Sequence, residues 1–267
     1  MYNKCAHEQC EKKNTYQSSH EFREQKFSIE QKPKTLLITS KKFPKPEINQ
    51  RLMKTILHIF IIFTATACAA SSLSAKIIVS CVGDSITFGA AIKDRGANSY
   101  PSQLQKMLGD GYKVNNFGVN GATLLKKGDK PYWKLEAYKK ALGSKPDLVI
   151  IKLGTNDTKP QNWKHKNEYK ADYKELISSF QKLDTKPRVL IAFPVPVAKD
   201  RWGINEKAVS TEVIPALREV SKETGCVIID LYTALKDHHD LIPDGVHPNG
   251  KGASIIAEHV EKKISGK

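Results

Sequence analysis

Ile77-Ile-Val-Ser-Cys-Val-Gly-Asp-Ser-Ile-Thr-Phe-Gly89 opens with β-branched residues in near-continuous succession and stops at a glycine. Ile77, Ile78, Val79 and Val82 suit a strand covered on both faces, as in a parallel sheet with helices above and below. Gly83 lets the backbone turn, and an acid and a hydroxyl follow at once, Asp84 and Ser85. The carboxyl ends of strands in an open α/β sheet form the ligand crevice, which is where Ser85 would stand. A serine at a strand end also serves as a turn or N-cap residue. A nucleophile therefore needs more from the chain: a base, an acid to orient it, and donors for an oxyanion.

Working outward from this stretch, strand and helix patterns alternate. Residues 99–108 carry helix-start chemistry, with Pro101 early and Leu104, Met107 and Leu108 on one side. A second short strand is expected over 112–117, with Gly118-Val-Asn-Gly121 as its terminal loop. A helix over 133–142 leads to a buried third strand at 146–153, closed by Gly154-Thr-Asn-Asp157. A long amphipathic helix over 168–183 precedes a fourth strand at 188–193, which Pro194-Val-Pro196 ends abruptly. A helix over 206–224 contains Pro215, which predicts a kink or break, and a fifth strand follows at 226–230. Residues 249–264 form the last helix. Such alternation implies βαβ units and an α/β fold, a flavodoxin-like three-layer α/β/α sandwich with a five-stranded parallel sheet in the order 2-1-3-4-5. That order brings the loops after strands one, two and three to one edge, with the segment before the last helix beside them. Those loops hold the Gly, Ser, Asn and Asp clusters.

The chain has 267 residues, and not all of them belong to this unit. Residues 1–52 are rich in Lys, Glu, Gln and Ser without sustained periodicity, and read as a non-native or disordered extension. Residues 53–75 then read as a signal peptide, with basic Arg51 and Lys54, an apolar run over 56–63, and small residues after it. The run is short for a membrane span. Ala65-Thr-Ala-Cys68 is a degenerate lipoprotein cleavage box, which would make Cys68 a lipid anchor. The expectation is an exported protein, periplasmic or extracellular, whose folded domain is 76–267.

After residue 75 two cysteines remain, Cys81 and Cys226, each in or beside an apolar run and expected as buried thiols. No Cys/His cluster has metal-ligand spacing, and the adjacent pair His238-His239 does not suit one ion. The net charge is +15, of which +9 falls after residue 75. No basic stripe with interleaved aromatics argues for nucleic acid. Oligomeric state is not readable.

Asp244-Gly-Val-His-Pro248 supplies an acid and an imidazole three residues apart in a short loop. Asp244 can orient one ring nitrogen of His247 while the other faces Ser85. Read alone, the same residues are an Asp turn with a surface histidine. Asn156 can offer a side-chain amide, and Gly121 and Ser85 their backbone N–H groups, where an oxyanion would need donors. Trp133, Trp163 and Trp202 fall in or near loops of the same edge, where they can stack on sugar faces or serve as packing residues.

Gly83-Asp-Ser-Ile-Thr87, Gly118-Val-Asn-Gly121, Gly154-Thr-Asn-Asp157 and Asp244-Gly-Val-His247, in this order, resemble the four sequence blocks of the SGNH (GDSL-type) hydrolase family. The resemblance spans 76–267 and differs from the family nickname only in Ile86, where that has leucine. It implies a flavodoxin-like fold and ester hydrolysis through an acyl-serine, with no metal or organic cofactor. It assigns Ser85 as nucleophile, Asp244 and His247 as its partners, and Gly121 and Asn156 as oxyanion donors beside the Ser85 amide. The segments Tyr100-Pro-Ser-Gln-Leu, Gly128-Asp-Lys-Pro-Tyr-Trp133, Lys159-Pro-Gln-Asn-Trp163 and Phe193-Pro-Val-Pro196 look similar to secreted bacterial acetylxylan or sialate O-acetylesterase-like esterases. The expected function is removal of small acyl groups from carbohydrates. A lysophospholipase or thioesterase on the same fold, and a catalytically silent glycan-binding module, are the alternatives.

Overall fold

A computed structural model describes residues 75–266. The readings of 1–52 as an extension, of 53–75 as a signal peptide and of Cys68 as a lipid anchor lie outside these residues, apart from Ala75.

The opening stretch forms β1 (Ile77–Gly83), which runs straight into a one-turn helix, α1 (Ser85–Phe88). Four parallel partners complete the sheet: β2 (Tyr112–Gly118), β3 (Leu148–Lys152), β4 (Arg188–Ala192) and β5 (Val227–Ile229). Their spatial order is β2-β1-β3-β4-β5, as the βαβ alternation predicts. The register aligns the strand ends. Gly83 pairs with Gly118 on one side and with Lys152 on the other, so three loops leave the sheet at the same level.

The central strands β1, β3 and β4 are buried on both faces, and their alternate residues divide between two cores, while β2 and β5 form the more exposed edges. Val149, Ile151, Val189 and Ile191 pack with α4 (Tyr169–Gln181) and α5 (Ile214–Thr224) through Tyr173, Leu176, Phe180, Leu217 and Val220. Ala141 of α3 (Glu136–Gly143) joins the same core. Val79, Cys81, Ile150 and Leu190 face the other way, against α2 (Tyr100–Leu108) and α6 (Gly250–Ser265). The result is three layers, helices on both sides of one sheet.

The structure departs from the sequence expectations in three places. The helix expected from Trp133 begins only at Glu136, because Lys134 and Leu135 donate to Pro131 and Tyr132 and close a 3₁₀ turn first. The strand expected over 226–230 shortens to Val227–Ile229, with Cys226 just before it. The third departure is one of position only: the α-helix is interrupted, as a kink or break at Pro215 would have it, but by a π-helical turn ahead of the proline. A short α-helical turn (Glu206–Ala208) passes into a π-helical turn (Val209–Val213), and α5 continues from Ile214 with Pro215 in its first turn.

Among the described residues no helix is long and apolar enough to cross a membrane.

Candidate active site

Ser85 is set by its neighbour. Asp84 caps α1, its Oδ1 accepting the Ile86 N–H at 2.9 Å, and this puts Ser85 at the first helical position. The amide of that position has no intrahelical acceptor. Gly83 must be glycine for a steric reason: a Cβ there would lie 2.1 Å from Thr87 Oγ1 and 2.7 Å from the Lys152 carbonyl oxygen. The Asp84 carboxylate is fully buried, as is Lys152. Lys152 Nζ donates to both Asp84 oxygens, at 3.1 and 3.0 Å, and to Thr155 Oγ1 at 2.9 Å. Burial draws the Lys152 pKa below its ordinary value, while the Asp84 carboxylate pulls it back up. The pair ties the loop after β1 to the loop after β3. Sequence reasoning missed this role for Lys152, although a lysine ending the run Leu148-Val-Ile-Ile-Lys152 was a visible signal.

The other half comes from the loop before α6. Asp244 Oδ1 accepts the amides of Val246 and His247 at 2.9 and 2.7 Å, which fixes the carboxylate against the turn. Its Oδ2 lies 2.8 Å from His247 Nδ1, and His247 Nε2 lies 2.8 Å from Ser85 Oγ. Ser85 and His247 are 162 residues apart in the chain. Burial pushes the Asp244 carboxyl upward, but the His247 and Val246 amides and the His247 ring outweigh it and hold the pKa below the usual range. Beside a carboxylate, Nδ1 carries the imidazole hydrogen and Nε2 is left as the acceptor facing the serine hydroxyl. Asp84, the other acid near Ser85, is engaged with Lys152 and does not enter this chain of contacts.

On the opposite wall stand Gly121 and Asn156. Gly121 has φ +77°, a left-handed conformation that glycine adopts without strain. Asn156 is buried, and one Nδ2 hydrogen is used on the Ala122 carbonyl at 3.2 Å. The second is left for a ligand. Asn162 holds the Asn156 carbonyl at 2.9 Å, and Asp157 accepts the Leu124 and Leu125 amides at 3.0 and 2.7 Å. Burial pushes the Asp157 carboxyl up to about 7 against the pull of those two amides. Together these bonds lock the loop carrying Gly121 to the loop carrying Asn156.

Ser85, Gly121, Asn156 and His247 line one cavity of about 240 Å³, with Trp202 and Ile204 on its wall. The arrangement can take a proton from Ser85 Oγ and offer donors to an oxygen opposite it. A larger cavity, of about 430 Å³, is lined by Leu142, Lys145, Leu183 and Asp184, in segments leading into β3 and β4. It lies at the opposite end of the sheet from Ser85 and contains no nucleophile paired to a base.

The three tryptophans part company. Trp202 is 53% exposed, with its ring centroid 5.5 Å from that of His247. Trp163 stacks edge-on against Tyr169 and borders a neighbouring cavity. Trp133 is not brought to the site: its Nε1 donates to the Leu124 carbonyl at 2.9 Å and its ring packs against Tyr138. The ring is half-buried against the core, with Lys126 Nζ 4.4 Å over it. No group of three or more His, Cys, Asp or Glu suited to a metal ion occurs among the described residues.

Residues 81–255 match the model of the GDSL-like lipase/acylhydrolase family. An acetylxylan esterase of Xylanibacter ruminicola is 43% identical over 204 residues, covering 70% of this chain and 42% of that protein. An isoamyl acetate-hydrolyzing esterase 1 homolog of Homo sapiens is 28% identical over 143 residues, covering 45% of this chain and 58% of that protein. The chain thus spans about half the length of these two relatives. Among solved structures, a carbohydrate acetylesterase from Sinorhizobium meliloti superposes with a TM-score of 0.58 at 23% identity, covering 72% of this chain and 99% of that one.

Proposed function

The chain belongs to the GDSL-like lipase/acylhydrolase family, and from that premise we propose that it is a serine carboxylic ester hydrolase removing small acyl groups, acetyl foremost, from carbohydrates. The observation that carries the reading is the unbroken line from Asp244 through His247 to Ser85, with two contacts of 2.8 Å.

As Ser85 Oγ attacks the ester carbonyl carbon, His247 Nε2 takes its proton, and Asp244 stabilises the imidazolium that results. The carbonyl π electrons move to oxygen, where the Ser85 and Gly121 amides and Asn156 Nδ2 receive the charge. When the intermediate collapses, the C–O bond to the sugar breaks and His247 returns the proton to the departing alkoxide. Water then repeats the cycle on the acyl-serine and releases the carboxylic acid. The roles of Ser85, Asp244, His247, Gly121 and Asn156 are part of the proposal.

Size supports a small acyl group. The cavity of about 240 Å³ at Ser85 has room for an acetyl group and part of its alcohol. The exposed Trp202 ring on the cavity wall supports a sugar as that alcohol. The test compares acetate release from acetylated xylan with hydrolysis of nitrophenyl esters of C2 to C12 acids. The proposal expects acetyl xylan to be cleaved and nitrophenyl rates to fall steeply with chain length. A preference for long acyl chains would instead favour a lysophospholipase or thioesterase. No hydrolysis, with glycan binding surviving Ser85→Ala, would make it a binding module. Export, read from residues 53–75, belongs to the same proposal, and N-terminal sequencing of the native protein tests it by locating the first residue at or after Cys68.

A further inference from the structure

A second cavity, of about 560 Å³, adjoins the one that holds Ser85, and Trp202 and Ile204 line both. Its far side is formed by Thr158, Pro160, Trp163 and Glu212. Two features of this cavity lack an explanation within the protein.

The first is Trp202. Its φ of +53° is left-handed, which a bulky L-residue rarely adopts and which costs on the order of 1–3 kcal/mol. The same residue is the most exposed large hydrophobic side chain among those described. The ring packs on Arg201 and lies beside His247, yet about half of its surface still faces solvent, so the strain is not spent on burying it. Neighbouring contacts hold it there: Arg201 stacks over the indole at 4.6 Å and donates Nη1 to the Asp244 carbonyl at 3.3 Å, while the Lys199 amide bonds to Gly245 at 3.2 Å. A ring held rigidly between two cavities is a platform for a flat apolar face.

The second is Trp163. Its Nε1 is buried and has no hydrogen-bond partner, and a buried donor left so is costly. The Lys166 ammonium, and after it the Trp163 indole, hold the Glu212 carboxyl below its usual range, so the two side chains are near neighbours; the N–H nonetheless falls outside bonding geometry to it. Glu212 Oε2 is taken by Lys166 Nζ at 2.5 Å. Nε1 is covered in the ligand-free fold, so a hydroxyl reaches it when the Glu212 carboxylate swings aside, and it then accepts from Nε1 and donates to that carboxylate.

A ring with a C–H face and hydroxyls on its edge fits both features at once. We propose that the second cavity is a subsite for a neutral sugar unit adjoining the acylated one, stacked on Trp202 and bonded by a hydroxyl between Trp163 Nε1 and Glu212. The proposal rests on the carbohydrate esterase reading. It makes the enzyme a reader of at least two sugar units.

The test compares kcat/KM for deacetylation of monoacetylated methyl xyloside and monoacetylated xylobiose, with nitrophenyl acetate as reference. The disaccharide ester is expected to be better by about tenfold or more, as one or two hydrogen bonds and a stacked ring provide. Glu212→Gln, at an exposed carboxylate where folding is not at stake, and Trp163→Phe, which keeps the ring, each reduce that advantage through KM with kcat retained. Independently of turnover, unacetylated xylobiose alters the tryptophan fluorescence of the Ser85→Ala protein, and Glu212→Gln weakens the titration. Hydrolysis of nitrophenyl acetate with equal kcat/KM for the two sugar esters overturns the subsite while leaving the esterase intact. Absence of any hydrolysis overturns the esterase reading instead.

Discussion

The Ser85 loop depends on a charge pair that never meets water. Asp84 and Lys152 are both fully buried, and each is the main compensation the other has. Removing one partner of such a pair strands a charge in a medium that solvates it poorly, at a cost of about 3–5 kcal/mol. Lys152→Met is therefore expected to lose that much stability in urea unfolding, and adding Asp84→Asn, which still caps Ile86, to recover a large part of it. A double variant no more stable than Lys152→Met alone would contradict the pairing. The Asp244 carboxyl ties stability to pH. Its folded pKa lies below the unfolded value, so its contribution is present above about pH 4 and is lost as pH falls through the folded value. The stability gap between wild type and Asp244→Asn should hold constant above about pH 4 and shrink as pH falls below it; a gap that widens on acidification would be inconsistent with it. The residues of the four Gly/Ser/Asn/Asp clusters could be read from sequence because their chemistry is local to short loops. Lys152 could not, because its partner lies 68 residues away and only the pairing of β1 with β3 brings them together.

Strands and helices follow from their residue patterns, and the departures have local causes. The runs of apolar residues in β1, β3 and β4 form strands buried on both faces, while the fifth strand is an edge strand that extends only over the three residues paired with Leu190–Ala192 of β4. Pro215 was expected to interrupt its helix. In the structure a π-helical turn precedes it, and hydroxyls take up backbone carbonyls there, Ser210 Oγ bonding Glu206 at 3.0 Å and Thr211 Oγ1 bonding Lys207 at 2.7 Å. That accommodation needs side chains one turn away from the proline, which a rule about proline alone does not consider. Pro215→Ala should change stability by less than about 1 kcal/mol, against about 3 kcal/mol for a proline forced into an unadapted helix. A stabilisation near the larger figure would show that the proline strains the helix after all. Between α4 and α5, Lys170–Glu219 and Lys174–Glu223 form exposed rungs, and Lys166–Glu212 extends the row from the residues before α4. Exposed pairs of this kind are screened by solvent, so Lys170→Ala should leave the urea unfolding midpoint almost unchanged.

At the scale of the whole domain, one sheet edge gathers loops that are distant in the chain. The order β2-β1-β3-β4-β5 brings the ends of β1, β2 and β3 to the same level, and α6 returns the loop that carries Asp244 and His247 beside them. This much was legible, because topology follows from the alternation of elements and the clusters sit at strand ends. The destinations of the tryptophans were not legible, since sequence places a ring in a loop without saying which way the loop turns it. Trp133 is drawn inward by the Leu124 carbonyl and Tyr138, whereas Trp202 is turned outward over His247 by the contacts of Arg201 and Lys199. The central claim is that Ser85, activated by His247, carries the acyl group. Rapid quenching of the enzyme during turnover of nitrophenyl acetate, followed by peptide mass spectrometry, tests it most directly. The account predicts one acetyl group on the peptide at Ser85, absent from Ser85→Ala, which also fails to turn over. Wild-type turnover by Ser85→Ala, or an acetyl group carried on another residue during turnover, would contradict it.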